Sequence, residues 1–367
     1  MMDLSQVYVV LPSLDPDEKL QTVIDGLIHV GFCHIVLVND GSRNENLHYF
    51  QTAAQASQVT LLHHPQNRGK GAALKTAFRY ILENHPDCAG VITVDGDGQH
   101  HPQDTLSCAQ AMLQTQRLTL GVRDFNQENI PARSRFGNKT TCMIFKFFVG
   151  LTITDTQTGL RAIPAPLLPL MLQISGHRFE YETNMLLALK EHHLPFDEVK
   201  IRTVYIEENK SSHFRVIRDS WQIYKLILAH FFRYTTVSIF SALVDEGMYL
   251  LLSLLLQSLA SGFSLVAMAT AGARLTSSLM NFTLNKKFVF HSNASTGKTL
   301  LRYYALAIPI ALGQILLTHG INTLLGIDES LVLLRGIIYA LVMTFLYLVS
   351  FLVQQRWVFA KTNRNTP

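Results

Sequence analysis

Cysteine is scarce in this 367-residue chain: Cys33, Cys88, Cys108 and Cys142 are the four present, and no two stand in a Cys-x-x-Cys spacing. That excludes a disulfide scaffold and the common zinc modules, and predicts a reducing compartment with buried free thiols. Charge is thin as well. Charged residues make up 16% of the chain and the net charge is +4, too small a basic excess to imply a nucleic-acid partner. The opening Met1-Met2-Asp3-Leu4 has neither a basic n-region nor an apolar h-region, so no signal peptide is expected and the first half is expected in the cytosol. The pairs His63-His64, His100-His101 and His192-His193 lack metal-ligand spacing and read as surface or loop residues.

What the chain has in quantity is apolar sequence, unevenly spread. A mean hydropathy of +0.18 averages a mixed, charged first part and a last part dominated by Leu, Ile, Val, Ala, Phe and Tyr. Four apolar stretches, 234–256, 263–283, 303–325 and 331–353, are each near the ~20 residues that cross a bilayer. Threaded up and down, they leave Arg233, Lys286, Lys287, Lys298, Arg302, Arg356, Lys361 and Arg364 on one side. Basic residues mark the cytoplasmic face, so both termini are expected in the cytosol, on a multi-pass inner (cytoplasmic) membrane protein. Arg233-Tyr234 recurs as Arg302-Tyr303, and Asn281-Phe282 corresponds to Ser350-Phe351, the same 69-residue step (302 − 233 and 350 − 281). A shared step at both ends of a unit predicts duplicated helix pairs in one orientation. Asp245 and Glu246 in the first span and Arg274 in the second lie at similar depth, which permits an ion pair inside the membrane.

The first half alternates strand and helix patterns: strand 7–11, helix 17–30, strand 35–38, strand 59–62, helix 72–83 and strand 90–94. Such βαβ units predict an α/β domain with a mostly parallel, Rossmann-like sheet, whose ligands bind beyond the carboxyl ends of the strands. Three motifs fall there. Asn39-Asp40-Gly41-Ser42 follows the second strand, where a carboxylate can accept hydrogen bonds from a base or ribose. Asn67-Arg68-Gly69-Lys70-Gly71 is a glycine-rich loop entering a helix, whose amides and Lys70 can face an anion. Asp95-Gly96-Asp97-Gly98-Gln99-His100 places two carboxylates at period two just past an apolar strand, a hard-oxygen set suited to Mg²⁺ or Mn²⁺ bridging a diphosphate.

These motifs, with Leu11-Pro12-Ser13-Leu14-Asp15-Pro16, Gly121-Val122-Arg123, Arg135-Phe136-Gly137-Asn138, Asp155-Thr156-Gln157-Thr158-Gly159-Leu160-Arg161 and Phe179-Glu180-Tyr181-Glu182-Thr183, resemble family 2 glycosyltransferases that glycosylate dolichyl or undecaprenyl phosphate. The repeated Asn-Phe-x-Leu-Asn-Lys-Lys-Phe-Val-Phe pattern resembles the GtrA-like four-helix membrane proteins, a family associated with polyprenyl-linked sugars. The resemblance implies a GT-A domain over residues 1–213, an interfacial segment over 214–232 and a GtrA-like all-α transmembrane domain over 233–361. It implies a metal at Asp95, Asp97 and Gln99, with Asp40 toward the nucleoside and Pro12 among the substrate-binding residues. Arg123 and Arg135 would lie toward phosphates, with Asp155 toward the reacting centre. Asn39 stands where the family often has Asp, and Gly96 where it usually has Ala; neither departure removes a ligand.

The expected reaction is inverting transfer from a nucleotide diphosphate sugar, uridine diphosphate glucose first, to a polyprenyl phosphate for cell-envelope polysaccharide biosynthesis. An alternative expectation is a bifunctional or transport protein whose four helices flip or anchor the product. Ile217, Trp221, Tyr224, Leu228 and Phe231 recur at helical steps with Arg218 and Lys225 between them, as in a helix lying on the bilayer surface. Arg215 and Arg218 are the residues expected to hold the lipid phosphate. A homo-oligomer is compatible with four short spans.

Overall fold

The computed structural model describes residues 4–127, 130, 132–202, 216–328 and 330–360, and the chain divides into two compact units, Met1–Ile227 and Leu228–Pro367. In the first unit the strands are β1 (Val7–Ser13), β2 (His34–Asn39), β3 (Val59–His63), β4 (Gly90–Thr93), β5 (Leu118–Arg123), β6 (Arg161–Pro164) and β7 (Phe196–Ile201). They form one sheet in the order β3-β2-β1-β4-β6-β5-β7. The pairs β3–β2, β2–β1, β1–β4 and β5–β7 are parallel, while β6 runs antiparallel between β4 and β5. The helices are α1 (Lys19–His29), α2 (Leu47–Ala53), α3 (Lys70–Asn84), α4 (Pro102–Thr115), α5 (Ala132–Ile144), α6 (Leu168–Gln173) and α7 (Glu180–Glu191).

Strand period explains why both sheet faces are covered. Val7, Val9 and Leu11 of β1, with Ile35 and Leu37 of β2, join one apolar cluster with α1 and α4 residues such as Leu20, Ile24 and Met112. Their neighbours Tyr8, Val10, Val36 and Val38 join the other, with Phe78 and Ile81 of α3 and Tyr181 and Met185 of α7. Such strands read as continuous apolar runs because both faces are buried. The expectation of buried thiols holds for Cys108 alone: all four cysteines are free, but Cys33 is exposed and Cys88 and Cys142 are half-buried.

The C-terminal part carries four long helices among the described residues: α8 (Val216–Leu256), which begins before the unit boundary, α9 (Gly262–Leu284), α10 (Thr296–Leu324) and α11 (Val332–Val353). Among the described residues three stretches, Phe231–Leu256, Thr296–Leu324 and Val332–Val358, are long and apolar enough to cross a membrane. Helix α9 is not among them; Arg274 and its Ser and Thr residues dilute it. The segment expected as a separate interfacial helix is continuous with the first span, because 216–256 is one helix without a break.

The 69-residue repeat is a pseudo-two-fold in space. Helices α9 and α11 each end in one π-turn, Asn285–Val289 and Gln354–Val358. Tyr234 reaches the second repeat, its hydroxyl donating to Ser350 Oγ at 3.3 Å and accepting from Gln354 Nε2 at 3.1 Å. Its counterpart Tyr303 reaches the first, donating to Asn281 Oδ1 at 3.0 Å, which also accepts from Asn285 Nδ2 at 2.8 Å. Tyr234 packs on Phe351 and Tyr303 on Phe282, while the counterparts Phe290 and Phe359 stack on each other at 5.1 Å. Each helix pair therefore satisfies polar groups of the other, as hydrocarbon surroundings require. The expected ion pair forms as well: Arg274 Nη1 lies 3.4 Å from Asp245 Oδ2, and Ser277 Oγ donates to Asp245 Oδ1 at 2.7 Å.

Candidate functional site

Because β1, β2, β3 and β4 are parallel and β6 is reversed, the residues after β1, β2, β4 and β5 and those before β6 share one sheet edge. Strand order turns back on itself between β1 and β4, and at such a switch point the loops diverge and leave a crevice. Pro12 lies next to the end of β1 there, paired with Val38, and Asp95 and Asp97 follow β4 at the same edge.

Asp40 follows β2 at this edge. It is buried, and its carboxylate anchors the glycine-rich loop: Oδ1 accepts from Arg68 N at 2.9 Å and contacts His64 Nδ1 at 2.7 Å, and Oδ2 accepts from Gly69 N at 2.7 Å. His64 is held from its other side by Thr76 Oγ1 at 2.9 Å, so this histidine is a buried brace rather than a surface residue. Gly69 has φ +98°, and a side chain on Gly41 would strike the backbone of Gln66 and Asn67. The loop thus delivers Lys70 to the crevice in a fixed place.

Lys70, expected to face an anion, is instead held by two carboxylates, Asp95 Oδ1 at 2.7 Å and Glu182 Oε1 at 2.9 Å. Burial alone would lower its pKa, but Asp95 and Glu182 outweigh that and hold it above the usual lysine range. Burial also acts to raise Asp95, and the Lys70 ammonium overcomes it, leaving that carboxyl below its ordinary value. Asp97 lacks such a partner. Burial and then the Asp95 charge push its pKa up, although its Oδ1 accepts from Gln99 N at 3.0 Å. His100 accepts from the Asp95 amide at 3.1 Å, which fixes the turn between the two carboxylates and makes His100 part of the site. Gly159 lies against this cluster, where a Cβ would overlap Asp95 Oδ2 and come 3.1 Å from Lys70 Nζ. Thr93 Oγ1 donates to Gly159 O at 2.6 Å and keeps it there. Arg161 is buried behind, with Nε donating to Thr158 O and Nη1 to Glu182 O. Its Nη2 finds no acceptor among the described residues.

A second cluster sits at the end of β5. Asp155 is buried and takes Arg123 in a two-pronged pair, Nε to Oδ2 at 2.7 Å and Nη2 to Oδ1 at 3.1 Å. Gln157 N donates to the same carboxylate at 3.0 Å. Asp155 is thus committed to orienting Arg123, which stacks on Phe125 at 5.0 Å. Arg135, on α5, donates from Nη2 to Gln127 O at 2.7 Å. Arg215 and the side chain of Arg218 lie outside the described residues. Sequence reasoning gave no role to Glu182, Gly159, Arg161, His64 or His100.

A profile of glycosyl transferase family 2 matches residues 8–164, and one of the GtrA/DPMS transmembrane domain matches 233–359. An uncharacterized protein of Methanocaldococcus jannaschii is 30% identical over 232 residues, 62% of this chain and 93% of that one. The UDP-N-acetylglucosamine–dolichyl-phosphate N-acetylglucosaminyltransferase of Methanococcus voltae is 26% identical over 240 residues, 60% of this chain and 95% of that one. A dolichyl-phosphate beta-glucosyltransferase of Trichomonas vaginalis is 23% identical over 234 residues, 57% of this chain and 70% of that one. The chain belongs to glycosyl transferase family 2 and carries a C-terminal GtrA/DPMS transmembrane domain. It is a membrane glycosyltransferase.

Proposed function

We propose that the protein transfers a sugar from a nucleotide diphosphate sugar to a polyprenyl phosphate, with inversion at the anomeric carbon, on the cytoplasmic face of the membrane. The observation that carries this reading is the Asp95–Asp97 pair at the switch point, with Lys70 and the Asp155-bound Arg123 at the same sheet edge. Two of the relatives are named for transfer to dolichyl phosphate, which supports a lipid phosphate acceptor.

A divalent cation fits the residues present. Asp95 and Glu182 bring two carboxylates onto a single lysine, and burial and the neighbouring Asp95 charge oppose ionisation of Asp97 beside them. Among the described residues no three or more His, Cys, Asp or Glu groups form a cage. Mg²⁺ and Mn²⁺ do not need one, since substrate phosphates and water complete their coordination. Asp95, Asp97 and Gln99 would hold the cation, which supplies charge neutralisation at the leaving diphosphate. Arg123, aimed by Asp155, adds a fixed guanidinium for the same developing charge, and Arg135 a second. Pro12, near the end of β1 at the switch point, contributes to substrate binding. The acceptor phosphate is already ionised near neutral pH, so no strong general base is needed, and single displacement inverts the sugar. Arg215 and Arg218 hold the acceptor.

The test is the full chain, purified in detergent, incubated with undecaprenyl phosphate and a panel of uridine and guanosine diphosphate sugars, with Mg²⁺, Mn²⁺ or a chelator. One donor should yield a glycosyl-phospholipid of inverted configuration, and the chelator should stop it. Sugar transfer only to a non-lipid hydroxyl would overturn the acceptor, and full turnover in chelator would overturn the cation.

A further inference from the structure

The two repeats of the helical unit offer an internal comparison: positions 69 residues apart occupy equivalent places in the pseudo-two-fold. Midway along the helices their surfaces differ in charge. Asp245, Glu246 and Arg274 of the first helix pair correspond to Gln314, Ile315 and Met343 of the second. Ile315 is 67% exposed and Met343 50%, the apolar surface that acyl chains demand. At the same places the first pair exposes charge: Glu246 is exposed and the Arg274 side chain is 74% exposed.

These charges lie deep. Helices α8 and α9 pack antiparallel, with Asn281 Nδ2 donating to Ser241 Oγ, Ser277 on Asp245, and Leu252 against Gly272. That register sets Glu246 and Arg274 within about 3 Å of one depth, and Arg274 stands roughly 15 Å from the Leu284 end of α9. Both are therefore near the middle of a ~30 Å hydrocarbon layer. Asp245 meets one nitrogen of Arg274, and Glu246 has no ion pair or hydrogen bond among the described residues. Lipid can solvate neither an exposed carboxylate nor the outward nitrogens of a guanidinium.

From this we infer that the first-repeat face is covered by a second copy of the chain, related by a two-fold axis. Glu246 of one copy meets the partner's Arg274, and the reciprocal pair forms at the same time. A two-fold interface must be self-complementary, and this face carries both signs at one level. The apolar second-repeat face is left to lipid.

The test begins with the unsubstituted, singly labelled full chain in lipid bilayers at low density. Two-step photobleaching is expected, and single steps throughout would overturn the proposal. Next, two differently tagged copies are co-expressed in a Cys33→Ser background, one bearing Glu246→Cys and the other Arg274→Cys. After mild oxidation the mixed-tag cross-link should exceed tenfold that of the equivalent Ile315→Cys and Met343→Cys pair. Equal cross-linking of the two pairs would mean that lipid or an unrelated protein covers the charges, and overturns it. Glu246→Gln should shift the bilayer monomer–dimer equilibrium at least fivefold toward monomer.

Discussion

Gly159→Ala isolates the geometry of the carboxylate cluster from its charge. The added methyl alters no ionisable group, and Gly159 is not at positive φ, so the backbone tolerates a side chain. The methyl does, however, arrive inside the contact distance of Asp95 Oδ2, and at 3.1 Å from both Asp95 Cγ and Lys70 Nζ. Ordinary contact between heavy atoms needs close to 4 Å, so the carboxylate must retreat by about 1 Å. Gly159 cannot give way instead, because its carbonyl is tied to Thr93 and it leads straight into β6. A displacement of about 1 Å in a positioning group costs on the order of 100-fold in rate. The expected result is a ~100-fold lower kcat at saturating donor, a weaker dependence on added cation, and thermal unfolding within a few degrees of the parent. Turnover within threefold of the parent, with an unchanged cation requirement, would refute the placement of Asp95 at the reacting diphosphate.

Asp97→Asn should lower turnover at least ~100-fold, the scale for losing one electrostatic stabiliser. In metal-free buffer at neutral pH its Tm should not fall and should rise, because a carboxyl whose folded pKa is raised penalises the folded state once ionised. That advantage should vanish below the ordinary aspartate value, where folded and unfolded forms are both protonated; a lower Tm at neutral pH would contradict the environment assigned to Asp97. Asp40→Ala strips the acceptor from two loop amides, Arg68 N and Gly69 N. Leaving both unpaired costs about 3 kcal/mol, or a Tm drop of about 6 to 12 °C for a domain of this size, read by dye-monitored melting; no change would deny the anchoring role. Tyr234→Phe and Tyr303→Phe should each destabilise the helical unit by about 1 kcal/mol in detergent unfolding, and to the same extent, since they occupy equivalent places. A marked inequality would break the pseudo-two-fold account.

The soluble half was legible where one element carries the signal. Asp95 and Asp97 declare themselves because an apolar strand ends just before them, and the loop at Asn67–Gly71 because glycines punctuate it. Partners contributed by distant elements were not legible. Glu182 reaches Lys70 from α7, and Gly159 meets Asp95 only because β6 runs antiparallel beside β4, a reversal that alternating βα patterns do not announce. The anchoring partners of Asp40 were not legible either: a carboxylate after a strand looks the same whether or not it also holds His64 and the amides of a distant loop.

In the membrane half the repeat was legible because a fixed 69-residue step survives in the chemistry of Tyr, Phe and basic residues. Its consequence was not, because a repeat read along the chain suggests two self-sufficient helix pairs. The hydrogen bonds run the other way: Tyr234 is satisfied by Ser350 and Gln354, and Tyr303 by Asn281. A polar group in hydrocarbon must find its partner within the protein, and exchanging partners across the axis makes each pair incomplete without the other. Duplication in this unit therefore supplies the missing half of a shared core rather than a spare copy. Midway along the helices the repeats diverge in charge, Asp245, Glu246 and Arg274 against Gln314, Ile315 and Met343, and Glu246 and Arg274 there are exposed, where the shared core imposes no constraint. The Tyr and Phe positions that pack across the axis keep the symmetry because each serves the other repeat, and exposed positions are free to differ because each answers only to its own neighbour.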